Sequence, residues 1–392
     1  MNQELMQLAA DTFGTPSYIF DLDMLQERLT MIKQILGSRI TLCYAMKANP
    51  FLVTAMQGLT ERFEVCSPGE FAICEKQNIP MERIVLSGVN KEAGEINRVI
   101  SGYGGKGIFT IESPAHLRIL QEAAAADHKN IQVLLRLTSG NQFGMDAGII
   151  CEIIKNREQY PHLTILGLQL YSGTQKKKLS KIKTELRKLD AFCQQLQQEY
   201  QFEVQELEYG PGFYVPYFQN ESDSDDPKLL REFREILENL DFKGHITLEM
   251  GRFMTAYCGY FLTSIVDCKC NQQQNYCIVD GGIHHMNYYG QTMAMKLPHF
   301  VKLGGADYAK PEPFTVCGSL CTVGDVLIRQ LPLKDVQPGD VLVFERLGAY
   351  SVTEGIGLFL SRDLPKILFY TDQDGLQLVR DSLNTHTINS TQ

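Results

Sequence analysis

Several features that define whole classes of protein are absent from this 392-residue sequence. No apolar run approaches the ~20 residues that a membrane-spanning helix needs. Residues 1–5 lack the basic and apolar regions of a secretory signal peptide. The formal net charge of -9 argues against nucleic acid or an anionic membrane as the main partner. We therefore expect a cytoplasmic protein with no nucleic-acid or membrane partner.

Two cysteine and glycine motifs are also missing. Cys268-x-Cys270 has no matching second pair, so we predict no metal site. The eleven cysteines are scattered, mostly in apolar, strand-like segments, which is typical of reduced thiols rather than of a disulfide framework. No G-x-G-x-x-G opens a helix near the start, which weighs against an open doubly wound sheet.

What the sequence does contain is a regular alternation of short apolar segments and amphipathic ones between residues 40 and 250. Eight of these apolar segments predict strands: 40–45, 63–66, 83–87, 107–111, 133–137, 165–170, 205–209 and 246–249. Eight strand–helix units favour a (β/α)8 barrel. After Arg252, the segments 260–269, 276–280, 314–316, 340–344 and 366–370 resemble strands separated by Gly and Pro turns. They predict a C-terminal all-β domain.

Lys47 is the most informative single position. It follows the apolar segment 40–45, and Ala48-Asn49-Pro50 then ends that strand. Lysine seldom lies at the end of a buried strand unless an amine is needed there. A desolvated amine has a lowered pKa and can form a Schiff base with an aldehyde such as pyridoxal phosphate. The alternative is a surface lysine whose amine reaches solvent.

Other polar residues and glycines cluster at the predicted ends of the strands, where barrel enzymes hold their active sites. They are Arg136 near the end of the fifth strand, residues 171–175 after the sixth, 210–212 after the seventh and 249–252 at the eighth. Small residues, a hydroxyl group and an arginine on the last three strand ends can form a phosphate site, because glycine lets backbone N–H groups approach an anion closely.

At this point the sequence resembles the fold-type III pyridoxal phosphate enzymes, and within them the diaminopimelate/ornithine decarboxylase group. The resemblance runs over nearly the whole chain and rests on motifs in the same order: residues 44–49, 173–175, 251–252, 280–282, 320–322 with Asp325, and 348–350. It implies an alanine-racemase-like barrel at residues 26–255 and a β-domain formed by residues 1–25 and 256–392.

The resemblance also implies roles for individual residues. Lys47 would be the Schiff-base lysine, Glu249 would pair with the pyridine nitrogen, and Tyr171 would lie against the ring. Arg136 would sit near the cofactor oxygens, and Cys321 would be the catalytic cysteine. The phosphate would be held by Thr174, Gly212, the Gly251-Arg252 pair and Tyr350.

The sequence departs from the family pattern at three positions. Tyr171 stands where a histidine is usual, and Pro211 interrupts the usual three-glycine turn. Thr322 follows the cysteine, where enzymes of free diamino acids carry an acid for the distal ammonium. Losing that charge-assisted hydrogen bond predicts a substrate whose distal end is masked. This pattern is similar to a subgroup that acts on amino acids joined to a carrier protein or to a siderophore precursor, as in butirosin and staphyloferrin B assembly.

Alternatives remain open at this point. A free diamino acid such as diaminopimelate could still be the substrate, and an amino-acid racemase could share the architecture. A cofactor carrier without the β-domain, or a sugar-phosphate barrel enzyme, fits the motifs less well. The resemblance implies a homodimer in which Cys321 reaches the partner's site. His284 and His285 could meet an anion at the entrance, but an exposed loop explains them equally well, and we assign them no catalytic role.

Overall fold

The computed structural model describes residues 1–304 and 310–391 and divides them into two compact units. One unit contains residues 1–28, 215–223 and 254–392, and the other contains 29–214 and 224–253. No helix in these described ranges has both the length and the apolar character needed to span a bilayer. The predicted boundaries at residues 25/26 and 255/256 stay a prediction.

The second unit is a closed barrel of eight parallel strands, as predicted. The strands are β2 (Ile40–Ala45), β3 (Arg62–Val65), β4 (Ile84–Leu86), β5 (Ile108–Ile111), β6 (Ile131–Arg136), β7 (Leu163–Tyr171), β8 (Glu206–Gly210) and β9 (His245–Met250). β2 pairs with both β3 and β9, which closes the ring. Most of these strand residues are buried because helices cover the outside of a parallel barrel, and this explains their nearly continuous apolar runs.

Helices connect the barrel strands, and some of them begin at side-chain capping residues. The longer ones are α2 (Leu22–Leu36), α4 (Pro68–Lys76), α5 (Ala93–Tyr103), α6 (Pro114–Ala126), α7 (Ala147–Lys155), α8 (Leu179–Tyr200) and α9 (Asp226–Glu238), with short α3 (Val53–Met56) and α10 (Arg252–Thr255). Ser67 and Ser113 each accept a backbone N–H bond at an N-cap, and proline follows each serine at the first helical position. These caps fix where the chain turns from the carboxyl end of a strand into a helix.

The first unit is built around a nine-stranded sheet. Its strands are β1 (Ser17–Asp21), β10 (Gly259–Asn271), β11 (Gln274–Val279), β12 (Phe300–Leu303), β13 (Glu312–Cys317), β14 (Val326–Leu333), β15 (Val341–Phe344), β16 (Lys366–Thr371) and β17 (Gly375–Arg380). Its helices are α1 (Gln3–Phe13), α11 (Ser351–Glu354) and α12 (His386–Asn389). β1 pairs with β10 and β16, so the N-terminal strand lies inside this sheet.

The core of the first unit forms where α1 packs on the sheet. Met6 and Ala9 of α1 are buried against apolar side chains of five strands: Ile19, Tyr260, Leu262, Leu303, Val341, Val343 and Leu368. The predicted all-β domain is therefore correct as a fold class, with one N-terminal helix added to its core.

Candidate active site

Lys47 lies just beyond β2, at the carboxyl end of the barrel, where its amine contacts two buried acids. Its Nζ donates to Glu64 Oε2 at 2.6 Å and to Glu249 Oε1 at 3.2 Å. Cys66 Sγ is 3.8 Å from the same nitrogen. The Lys47 side chain is 37% exposed, whereas those of Glu64 and Glu249 are 2% and 6% exposed. The amine is thus held by two buried carboxyl groups, while the lysine side chain stays partly exposed.

The two acids differ in protonation because Lys47 lies closer to Glu64, at 2.6 Å, than to Glu249, at 3.2 Å. Burial alone would raise the pKa of Glu64, but the charge of Lys47 and hydrogen bonds from Glu249 and Lys47 lower that pKa to about 2. Burial, with the nearby charge of Glu64 adding to it, raises the pKa of Glu249 to about 8. Near neutral pH, Glu249 therefore holds a proton and donates it to the ionised Glu64.

Sequence reasoning missed Glu64, although a usable signal was present. Glu64 is an acidic residue inside the apolar strand that follows the Lys47 strand along the chain. Lys47 is a basic residue at the end of an apolar strand, so both positions are unusual for a charged side chain. The strand register places Glu64 beside Ala45 of β2. A buried acid requires a partner, and the adjacent strand end supplies the amine.

Two glycine loops meet beside this acid cluster. The Lys176 N–H donates to the carbonyl of Gly212 at 2.9 Å, which joins the loop after β7 to the loop after β8. Gly212 has φ +61°, and a Cβ there would lie 2.0 Å from the carbonyl oxygen of Gly173. A Cβ at Gly251 would lie 2.6 Å from that of Ala48. Only glycine permits these close approaches of the strand-end loops.

Tyr171 ends β7 and Thr174 lies on the loop that follows; the two residues hydrogen-bond to each other through their side chains. Burial raises the pKa of the Tyr171 hydroxyl; the charge of Glu249 adds to the rise, while Lys47 and Arg252 oppose it. A Cβ at Gly210 would lie 2.5 Å from Tyr171 Cδ2. Because Gly210 has no side chain, the Tyr171 ring can lie in the space beside it.

Arg136 ends β6 and is held by a buried acid. Its Nη1 lies 3.0 Å from Glu112 Oε1, and its guanidinium stacks over the Phe143 ring at 4.9 Å. Arg136 and Glu112 are both buried. This pairing keeps the guanidinium in one position at the site end of the barrel.

Lys91 is a second buried lysine among these strand ends. Its amine donates to the carbonyls of Leu86, Ser87 and Gly88 at 3.3, 3.0 and 3.4 Å. Burial lowers its pKa to about 8. Because its donors are directed at backbone carbonyls, Lys91 secures the end of β4.

Cys321, Thr322 and Tyr350 belong to the first unit. Cys321 and Thr322 are exposed in a tight loop, and the neighbouring Val323 is fully exposed. Asp325 holds this loop: its Oδ2 accepts from the Leu320 N–H at 2.7 Å and its Oδ1 from the Ile283 N–H at 2.9 Å. Tyr350, at the start of α11, has φ +67°.

The predicted exposed loop at His284 and His285 is wrong. Both residues are 3% exposed, and their rings lie 3.7 Å apart. Burial lowers the pKa of His284 to about 3 and that of His285 to about 4. His285 Nε2 bonds to the carbonyl of Asp363, far along the chain, so both imidazoles are neutral parts of the β-domain interior.

The barrel residues fit pyridoxal phosphate. The amine of Lys47, bonded to two buried acids, can react with the aldehyde, and the carboxyl group of Glu249 can pair with the pyridine nitrogen. The glycine loops leave room for the phosphate. A strand-end lysine of this kind in a (β/α)8 barrel, in a chain with a separate β-domain, defines an alanine-racemase-like pyridoxal phosphate enzyme.

Comparison with known proteins gives the family. The model of the pyridoxal-dependent decarboxylase family, pyridoxal binding domain, matches residues 22–256. The chain belongs to this family, and it is a pyridoxal phosphate-dependent amino-acid decarboxylase, a carboxy-lyase. The competing interpretations, a racemase, a non-catalytic cofactor carrier and a sugar-phosphate enzyme, are not supported.

Two curated relatives have conjugated substrates in their names. The L-glutamyl-[BtrI acyl-carrier protein] decarboxylase of Niallia circulans is 25% identical, over 93% of this chain and 91% of its own. The 2-[(L-alanin-3-ylcarbamoyl)methyl]-2-hydroxybutanedioate decarboxylase of Staphylococcus aureus is 25% identical, over 93% and 96%.

Relatives named for a free amino acid are equally similar. The diaminopimelate decarboxylase of Aquifex aeolicus is 26% identical, over 87% of this chain and 83% of its own. A solved diaminopimelate decarboxylase structure from M. jannaschii has a TM-score of 0.87 at 23% identity, over 96% and 92% of the two chains, and shows a shared fold.

Proposed function

We propose that this decarboxylase removes the α-carboxyl group of an amino acid whose distal end is masked by conjugation. The observation that carries the proposal is the loop of Cys321 and Thr322. Its single acid, Asp325, is 2% exposed, and both of its carboxylate oxygens accept backbone N–H groups. This loop therefore offers no carboxylate to a distal ammonium group, whereas a neutral threonine hydroxyl accommodates an amide, ester or thioester.

The barrel residues support the cofactor half of the proposal. Lys47 would hold pyridoxal phosphate covalently through its amine, and Glu249 would face the pyridine nitrogen. The loops of Thr174, Gly212 and Gly251-Arg252 would hold the phosphate, together with Tyr350. When bound, the cofactor stabilises negative charge at the substrate α-carbon as carbon dioxide leaves.

Residues of this chain would then orient the reacting groups and supply a proton. Glu64 keeps the Lys47 amine in place through the 2.6 Å bond, and Tyr171 would support the ring face. After the bond between the α-carbon and the carboxyl group breaks, the thiol of Cys321 would deliver a proton to that carbon. Arg136, fixed by Glu112, would lie near the cofactor oxygens.

A substrate panel tests the proposal directly. Carbon dioxide release is measured for L-lysine and L-ornithine and for the same molecules acetylated on the distal nitrogen, which share the α-centre and differ only at the masked end. We expect kcat/KM to favour the acetylated member of each pair about 100-fold. Turnover of free lysine, ornithine or diaminopimelate at about 1 per second or faster contradicts the proposal.

Thr322→Glu should move the preference back toward free diamino acids. A carboxylate at this position would form a charge-assisted hydrogen bond with a distal ammonium, so kcat/KM for free lysine should rise about tenfold and that for acetyl-lysine should fall. Thr322→Gln has nearly the same shape without the charge and serves as the control. Equal kinetics for the two variants would show that Thr322 does not select the substrate.

A homodimer with shared sites is part of the proposal, and the exposed loop around Cys321 supports it. Cys321, Thr322 and Val323 are all exposed in the single chain, so this loop is accessible to a partner subunit. In a two-fold dimer the Cys321 loop of each subunit would complete the other's site.

Mixed dimers test this arrangement. Purified heterodimers of one Lys47→Ala and one Cys321→Ala subunit should recover about half of the wild-type activity, because one of the two sites is then intact. Each mutant homodimer is the matched control. Heterodimers no more active than the homodimers would place Cys321 in the site of its own subunit.

A further inference from the structure

The segment that opens α8 carries an unusual concentration of positive charge. Six exposed cations occur within twelve residues: Lys177, Lys178, Lys181, Lys183, Arg187 and Lys188. The chain as a whole has a net charge of -9, so this surface has the opposite sign to the rest of the protein. A local field of this kind attracts acidic molecules that the remaining surface repels.

The acids along the same segment do not neutralise these cations. Between residues 176 and 198 there are only two, Glu185 and Asp190. Glu185 accepts hydrogen bonds from Lys176, Ser172 and Tyr209. Asp190 is buried, and its oxygens accept the backbone N–H groups of residues 241 and 242. Both carboxylates are used internally. Lys183 and Arg187 share a groove with Glu232 and Glu235 of α9, whereas Lys178, Lys181 and Lys188 do not line that groove.

Three of the lysines share one side of the segment. Lys178, Lys181 and Lys188 are three and seven residues apart, a spacing that places them above one another on a helix. Ile182, Leu186 and Leu189 occupy the buried side. We call Lys178, Lys181 and Lys188 the α8 basic face.

The basic face is unfavourable for the helix that carries it. The amino end of a helix has a partial positive charge, so acids stabilise the first turn and cations destabilise it. Helices α1, α2, α4, α5 and α9 each carry an acid there. α8, like α6 and α7, has no acid in its first turn, and its N-cap residue Lys178 makes no side-chain capping bond. Helix stability therefore does not explain these lysines.

Chain order places the basic face next to the candidate active site. β7 ends at Tyr171, the loop containing Thr174 follows, and α8 begins at Leu179. In a barrel of strand–helix units, the start of each helix lies at the same end as the carboxyl ends of the strands. At 1.5 Å per residue, Lys188 lies only about 15 Å along the helix from Lys178.

We propose that the α8 basic face docks an acidic carrier protein that presents the substrate on a covalent arm. The inference rests on the proposed function, since a carrier is one way of masking the distal end. Electrostatic complementarity would speed the encounter and orient the carrier with its arm toward the end of the barrel that holds Lys47.

The test compares two triple variants of the full-length holoenzyme. Lys178→Glu/Lys181→Glu/Lys188→Glu reverses the basic face. Lys76→Glu/Lys129→Glu/Lys155→Glu changes the net charge equally at exposed lysines at or just beyond the carboxyl ends of α4, α6 and α7, the opposite end of the barrel. Lys178 and Lys181 lie at the start of α8, where acids are favourable, and Lys188 is exposed in the middle of the helix, so the first variant should melt no lower than the wild type.

Two probes with the same reacting group separate docking from chemistry. One is glutamate joined through its distal carboxyl to the BtrI acyl-carrier protein, and the other is the matching pantetheine thioester. At about 50 mM salt we expect the basic-face variant to lose about 50-fold in kcat/KM on the carrier, through KM, with thioester turnover and the control variant nearly unchanged. At about 0.5 M salt, screening should remove most of the difference between wild type and variant.

Other outcomes overturn the inference in distinguishable ways. An equal loss on both probes, or an equal loss in the control variant, removes the docking role. A wild type that turns over the thioester but neither uses nor binds the carrier, by fluorescence anisotropy with the unloaded phosphopantetheinyl form, overturns docking and leaves the proposed function intact. A wild type that accepts only free diamino acids overturns both.

Discussion

Lys47→Ala is expected to lower decarboxylase activity by about 10⁴-fold or more and to abolish the visible absorbance of the bound cofactor. Lys47 supplies the nucleophilic amine of the acid cluster, through which pyridoxal phosphate would be held. Activity is measured as carbon dioxide release on the best substrate of the panel, and cofactor binding by absorbance after dialysis.

Stability must be followed separately in this variant. Removing Lys47 leaves Glu64 buried without its cation, which costs about 3 kcal/mol unless Glu64 takes up a proton. Since the charge of Lys47 is the main cause that lowers the pKa of Glu64 to about 2, that pKa should rise in the variant, and any lost stability should be partly regained as the pH falls. Circular dichroism then distinguishes lost chemistry from lost fold.

Lys91→Met is the matched control for Lys47. Lys91 is also buried at the strand ends, and its pKa is lowered to about 8, but its amine bonds to backbone carbonyls rather than to acids. Lys91→Met should lose stability because it leaves those carbonyls unsatisfied, yet it should keep the cofactor band. Loss of the band in Lys91→Met with its retention in Lys47→Ala would reverse the assignment.

Glu249→Ala is expected to lower kcat by about 10²–10³-fold, the cost of deleting one preorganised electrostatic contact in a buried site. Glu249 is the carboxyl group that would face the pyridine nitrogen, and its carboxylate form would favour protonation of that nitrogen and so the electron-poor form of the ring. The affinity for the cofactor should fall by a much smaller factor than kcat does, because the lysine and the phosphate loops are unchanged.

Glu208→Gln controls for burial and charge at a neighbouring acid. Glu208 is fully buried on β8, where burial raises its pKa well above the ordinary value, and it accepts a 2.6 Å bond from Gln169. A protonated acid and an amide of the same shape are nearly equivalent there, so activity should change less than about threefold. An equal fall in both variants would mean that any change among these acids disturbs the barrel and that Glu249 has no special role.

The barrel could be predicted from sequence because its strands are buried on both faces and therefore appear as uninterrupted apolar runs. Each predicted strand overlaps an observed one, and most ends agree within one or two residues. Since all the carboxyl ends of parallel strands meet at one edge, chain order alone placed Lys47 and Glu249 at the same end of the barrel. Glu64 was overlooked because an isolated acid in a strand carries no motif.

The β-domain was harder to predict because its contacts join distant parts of the chain. β1, β12, β14 and β17 were missed; β14 and β17 mix buried and exposed residues, and β1 and β12 are only five and four residues long. The burial of His284 and His285 depends on Asp363 and on Tyr18, whose hydroxyl donates to the His285 carbonyl at 2.6 Å. No local pattern around residue 284 contains that information.

The most direct test of the central assignment is to reduce the holoenzyme with borohydride and locate the phosphopyridoxyl group by peptide mass spectrometry. The geometry at the end of the barrel predicts that the group is on the peptide containing Lys47, whose amine donates hydrogen bonds to Glu64 and Glu249. The group on Lys91, or on any other lysine, would contradict the assignment.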